Sequence, residues 1–302
     1  MKYHVPVLLN ESINGLSIKP EGTYVDLTFG GGGHSKSILE KLNDKGRLIS
    51  FDIDSDAIRL NKLVRKNFEI IESNFKFFDL HIEERGIKKV DGIFADLGIS
   101  SYQIDNLNRG FSYKGETELD MRMNKRNNLC AKKIVNEYDK EKLENIFFEY
   151  GEISNNKKIV KKIIEYRKDK KIKYNSDFVN LLNEIFNKEI SFKLLSRIFQ
   201  AIRIEVNDEI NALREMLTKS KDYLNSKGRL VVISYHSLED RLVKNFINKS
   251  NFSSDYKKNL FGVKKEFYKR INKKPIVPTS DEIKNNPRSR SAKLRIGERL
   301  WR

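Results

Sequence analysis

Short apolar runs recur through the first third of the chain, and most close on glycine or an acid. Tyr24–Thr28, Arg47–Asp54, Glu69–Phe75 and Val90–Asp96 have the length and β-branched or aromatic content of buried strands. Between them, Ser35–Leu42, Asp56–Val64 and Phe77–Arg85 read as helices. Strands alternating with helices at this pitch predict an α/β fold with a parallel, doubly wound sheet. Ligands of such sheets bind beyond the carboxyl ends of the strands. Gly30–His34, Asp52, Phe75 and Asp96 fall at those ends.

The alternation then stops. The next strand pattern is Gly228–Tyr235, far beyond the reach of an ordinary crossover connection. The interval carries the helical period instead. Ile159, Val160, Ile163 and Ile164 share one face, as do Phe178, Leu181, Leu182 and Ile185. Leu195, Ile198, Phe199 and Ile202 repeat the spacing, followed by Val206, Ile210, Leu213 and Leu217. These stripes read as core, and they predict an inserted all-helical domain at 108–212 within a domain made of 1–107 and 213–302. A helix is expected at Asn10–Ser12 and another after His236, reaching Asn248. Phe261–Phe267 and Ala292–Ile296 are strand candidates near the end.

Composition adds a partner. The net charge is +17 over 302 residues, with 33% charged, which favours a polyanion such as nucleic acid. The lysines on the insertion (Lys157, Lys158, Lys161, Lys162, Lys168, Lys170 and Lys171, with Arg167) and the group Arg288, Arg290, Lys293 and Arg295 are candidate phosphate contacts. A single cysteine, Cys130, excludes an internal disulfide and a cysteine-rich zinc site. No metal-ligand cluster stands out. No apolar run reaches the ~18 residues of a membrane span, and the N-terminus lacks the apolar stretch of a signal peptide, so a cytoplasmic protein is expected.

The glycine run narrows the ligand. A P-loop needs lysine after its glycines, and here Gly33 is followed by His34 and Ser35. A dinucleotide fingerprint needs a third glycine where Ser35 stands. A nucleoside ligand without a pyrophosphate has less need of it. Asp52, 22 residues after Gly30, has the spacing of a ribose-binding acid. These features suit S-adenosylmethionine, with Phe75 placed to stack on adenine. Asp96, followed by Leu97-Gly98, is a candidate acceptor for an exocyclic amine whose lone pair is delocalised into its ring. Plainer alternatives stand beside these: His34 as a helix cap, Asp52 and Asp54 as solvated acids, Phe75 as a buried strand-end ring, Asp96 as a turn acid.

Several stretches together carry a resemblance. They are His4–Glu11, Asp26–Ser35, Asp96–Gln103, Arg109–Tyr113, Leu119–Met123, Gln200–Glu209, Tyr235–Arg241 and Asn286–Arg295. In this order the chain resembles the bacterial 16S ribosomal RNA cytosine-N4 methyltransferases of the MraW/RsmH type. The resemblance implies a Rossmann-like class I methyltransferase fold and methylation of a cytidine in the decoding centre of the small subunit. It implies cofactor contacts at Gly32, Gly33, His34, Asp52, Phe75, Asp96 and Gln103. Other amine methyltransferases place Pro-Pro-aromatic after the catalytic residue, whereas Leu-Gly stands here. An aromatic clamp for the base must then come from Tyr235, or from Phe111 and Tyr113; Tyr235 and His236 are candidate catalytic residues or packing residues. A DNA or protein-amide substrate, a non-catalytic RNA-binding factor, and a monomer or homodimer all remain compatible with the sequence.

Overall fold

A computed structural model describes residues 6–113, 115–186, 189–252 and 266–301. His4, Val5 and most of the expected strand Phe261–Phe267 lie outside the described residues. The chain divides into two compact units, one of Met1–Gly98 with Ile210–Arg302 and one of Ile99–Glu209. The divisions therefore fall at Ile99 and Glu209 instead of 108 and 212. Ile99 packs into the helical core, so the second unit begins directly after Leu97-Gly98.

Among the described residues the first unit is built on seven strands: β1 Thr23–Asp26, β2 Arg47–Asp52, β3 Phe68–Glu72, β4 Val90–Asp96, β5 Leu224–Ser234, β6 Tyr268–Arg270 and β7 Lys293–Arg299. Their order is β3-β2-β1-β4-β5-β7-β6. Strands β1 to β5 pair in parallel, while β7 runs antiparallel to β5 and to β6. Parallel strands are covered on both faces, so their apolar runs are nearly continuous. Leu48, Ile49 and Phe51 of β2 and Ile93, Phe94 and Ala95 of β4 have no exposed surface. The strand order reverses between β1 and β4, which makes their carboxyl ends the crevice of the sheet.

Two boundaries differ from expectation. Strand β3 stops at Glu72, and Phe75 opens a short 3-10 turn capped by Asn74, whose side chain accepts from the Lys76 amide. The following helix after β2 spans Ser55–Leu60, with Asp54 as its cap accepting from the Asp56 amide at 3.0 Å. A capping carboxylate satisfies one of the free amides of the first turn.

Among the described residues the second unit holds five helices of seven or more residues: Ala131–Glu137, Lys140–Glu149, Lys157–Asp169, Asn175–Phe186 and Phe192–Asn207. The apolar stripes of the sequence meet in its core, where Ile159, Val160, Ile163, Phe178, Leu182, Ile198 and Ile202 are all buried. Buried polar groups tie its connecting segments down. Asn207 accepts from the Met123 amide at 2.7 Å and donates to the Met121 carbonyl at 2.8 Å. Arg109 is 3% exposed and donates to the carbonyls of Arg122 and Met123. Arg203 grips Glu209 through both carboxylate oxygens at 2.8 Å.

Candidate functional site

The glycine loop leaves β1 and enters the helix Gly33–Leu39. Gly32 has φ of +76°, and a Cβ there would stand 2.7 Å from the Phe29 ring; a Cβ on Gly33 would stand 2.2 Å from Pro6 Cγ. Glycine is required at both by the protein's own packing. Gly30 and Gly31 differ: among the described residues, beyond their chain neighbours, no atom lies within 4 Å of where their Cβ would be. The loop thus has a packed side at Gly32 and Gly33 and, among the described residues, an open side at Gly30 and Gly31.

Asp52, at the end of β2, is built into this loop. Its Oδ2 accepts from the Gly30 amide at 2.7 Å and its Oδ1 from the Asp54 amide at 2.8 Å. Each oxygen keeps a second lone pair able to accept a further hydrogen bond. Burial, reinforced by the charges of Asp54 and Asp26 and opposed by these two amides, lifts its pKa to about 6. Asp26, wholly buried beneath the loop, accepts from Ser35 Oγ at 2.6 Å and from the Thr28 amide, and is likewise lifted to about 6 by burial. Sequence reading passed over Asp26, because nothing in the pattern separates a strand-end acid that is buried from one that is solvated.

Asp96 ends β4. Its amide donates to Thr28 Oγ1 at 2.7 Å, which pins the strand end to the glycine turn. Its Oδ1 accepts from the Tyr235 hydroxyl at 2.8 Å. Its side chain is 23% exposed, and Oδ2 stands 3.9 Å from His34 Nδ1. Burial, with the charges of Asp26 and Glu239 and against the Tyr235 bond, raises its pKa to about 7. Among the described residues the carboxylate accepts from a side-chain hydroxyl and from no turn amide. Asp52 and Asp96 bring two dehydrated carboxylates to the strand ends beside the glycine loop, with the wholly buried Asp26 behind them. Carboxylates so placed favour a cation, and the sulfonium of S-adenosylmethionine is one.

The chain matches the MraW methylase family over residues 1–300. The chain belongs to this family. It is 48% identical over 297 residues to ribosomal RNA small subunit methyltransferase H of Bacteroides fragilis strain YCH46, covering 98% of this chain and 97% of that protein. It is 49% identical over 292 residues to the protein of that name from Flavobacterium psychrophilum, covering 97% of this chain and 100% of that protein.

Other signature residues of this MraW family member serve several ends. Phe75 is half-buried on its 3-10 turn, so one part of its ring is free. Tyr235 holds Asp96 and gives its amide to Glu239 Oε2 at 2.9 Å. His236 caps the helix Ser237–Lys249, with Nε2 turned to Glu239 at 3.2 Å. Gln103, 4% exposed and in the helical unit, completes a reciprocal cap with Ser100. Phe111 lies in the helical core and Tyr113, half-buried, packs against it, edge-on to Phe192 and Phe199. Arg288 and Arg290 are exposed and Lys293 is half-exposed. Arg295 does not join them. It is 9% exposed and bound to Asp240 at 2.6 and 3.2 Å, so the antiparallel β7 turns it inward as a structural ion pair.

Proposed function

We propose that this S-adenosylmethionine-dependent ribosomal RNA methyltransferase acts on the exocyclic N4 amine of a cytidine in the decoding centre of 16S ribosomal RNA, with Asp96 as the acceptor. The observation that carries the reading is the Asp96 carboxylate. It ends β4 beside the open glycine cradle, with one oxygen fixed by Tyr235 and the other turned to His34. S-adenosylmethionine, when bound, supplies a methyl carbon whose bond to a cationic sulfur breaks with the electron pair going to sulfur. Gly30, Gly31 and Asp52 would hold it, with Phe75 against its adenine.

The chain's own task is at the amine. Accepting an N–H bond at Asp96 orients the nitrogen and raises its electron density. One proton must leave as nitrogen gains the methyl, and a carboxylate whose pKa is near 7 is matched to take it at neutral pH. The base must first leave its stack, which suits loop or single-stranded RNA. Lys157, Lys158, Lys161, Lys162 and Lys168 are exposed along one helix, and Arg288 and Arg290 near the end; these are the proposed phosphate contacts.

Methyl-labelled cofactor supplied with small subunits, DNA and protein fractions tests the assignment. The expected label is on a 16S cytidine, located by mass mapping. Label confined to DNA or protein overturns the RNA reading, and a melting temperature unmoved by the cofactor overturns the enzyme reading. Asp96→Asn is expected to keep cofactor binding better than Asp52→Ala and to lose most transfer, by about a hundredfold or more.

A further inference from the structure

We infer that His34 is a positioning residue for the proton acceptor: its bare Nδ1 waits for the hydrogen that Asp96 Oδ2 acquires from the substrate amine. This rests on Asp96 being the acceptor.

The tautomer follows from the partners. His34 is 7% exposed, and its Nε2 lies 3.1 Å from the Val7 carbonyl. A carbonyl oxygen only accepts, so Nε2 carries the hydrogen. Burial holds the ring pKa down at about 4, so the ring is neutral and Nδ1 has a free lone pair. The ring cannot turn away easily. It packs on Phe94 at 4.5 Å between centroids, and the Val7 carbonyl is itself held because the next amide, of Leu8, donates to Glu282 Oε1 at 2.8 Å.

The 3.9 Å between Nδ1 and Oδ2 then has a physical reason. A carboxylate oxygen and a bare imidazole nitrogen are both acceptors, and two acceptors repel. A proton on Oδ2 makes the pair a donor and an acceptor, which close to roughly 2.7–3.0 Å. The N4 amine gains a methyl and loses one proton; the proton moves to Oδ2, and Oδ2–H then donates to Nδ1. Nothing else is consumed. The Tyr235 hydroxyl occupies Oδ1 as a donor and stabilises the ionised form, while His34 stabilises the protonated form. The two neighbours thus serve opposite ends of one proton transfer. The charged and titratable groups facing Asp96 are Asp26 from β1, His34 from the glycine-loop helix, Tyr235 after β5 and Glu239 from the helix Ser237–Lys249, with Glu282 behind Tyr235.

Two amides separate the nitrogens. In His34→Gln the amide nitrogen can replace Nε2 at Val7 and leaves no acceptor near Oδ2. In His34→Asn the amide oxygen replaces Nδ1 and leaves Val7 unpaired. The readout is the 13C titration of the Asp96 carboxyl in protein without cofactor, beside single-turnover methyl transfer against pH. His34→Gln is expected to lower the Asp96 midpoint by about half to one pH unit, because a hydrogen bond to the neutral acid is lost. Its plateau rate should fall about tenfold, with the melting temperature kept. His34→Asn should keep the midpoint and lose stability. A wild-type midpoint in His34→Gln overturns the inference. If His34→Gln does not fold, a midpoint lowered equally in His34→Asn and His34→Phe overturns it as well. Undiminished transfer by Asp96→Asn instead overturns the acceptor reading beneath it.

Discussion

Three carboxylates, Asp26, Asp52 and Asp96, hold protons more tightly in the folded protein than a free aspartate near 3.8, at about 6, 6 and 7. Between those values the folded protein binds more protons than the unfolded chain. Their contribution to stability is therefore complete at the acid end of the window and is lost as pH rises through 6 to 7. Carboxylates shifted the other way, such as Asp91 and Asp177, lose their contribution only at lower pH. The cofactor-free protein is expected to show a falling melting temperature between pH 5 and pH 8, and Asp96→Asn a smaller fall. A cationic ligand offsets the repulsion among ionised carboxylates, so the cofactor should raise the melting temperature more at pH 8 than at pH 5. Differential scanning calorimetry across that range decides both. At this scale the sequence made Asp52 and Asp96 legible, because acids ending apolar runs are conspicuous. It left Asp26, the Tyr235 bond and the bare Nδ1 of His34 unseen, since each depends on a neighbour far away in the chain.

Among the elements, signature stretches of the helical unit turn out to be cross-links. Arg109 and Asn207 satisfy backbone partners in segments that lack regular structure, and Arg203 pairs with Glu209. Asn207→Ala would strand the Met123 amide and the Met121 carbonyl in a site that is 7% exposed. Leaving both unpaired is expected to cost about 3 kcal/mol. Denaturant unfolding should show that loss, with the cofactor's own affinity for the protein unchanged. The apolar stripes predicted these helices because the period of a buried face repeats locally. The polar cross-links have no period, and a sequence pattern cannot distinguish them from catalytic residues.

For the whole molecule, the +17 charge sets how it meets RNA. Exposed Lys157, Lys158, Lys161 and Lys162 lie on the helix Lys157–Asp169. Replacing all four with alanine is expected to weaken subunit or RNA binding and to reduce the slope of log affinity against log salt by about 2, as fewer counterions are released. Lys161 and Lys162 already lie near Glu165, at 3.8 and 3.1 Å, which keeps the expected change below the full charge removed. An unchanged slope, measured by titration at several salt concentrations, would remove this helix from the interface. Among the described residues, no helix is long and apolar enough to cross a membrane.

The sequence by itself determined the alternating strands and helices, the glycine turn, the acids at the strand ends and the long helical interruption, because each is written in local periodicity or in a residue type with few conformational alternatives. Tertiary structure decided which of those acids is dehydrated and which atoms oppose it. It also turned Arg295 inward onto Asp240, placed Phe111 and Tyr113 with the helical core, and set the His34 ring beside Asp96. The physical reason is common to all of these: a pKa, a tautomer or an ion pair is fixed by the groups that folding brings within a few ångströms, and those groups come from strands and helices far apart in the chain.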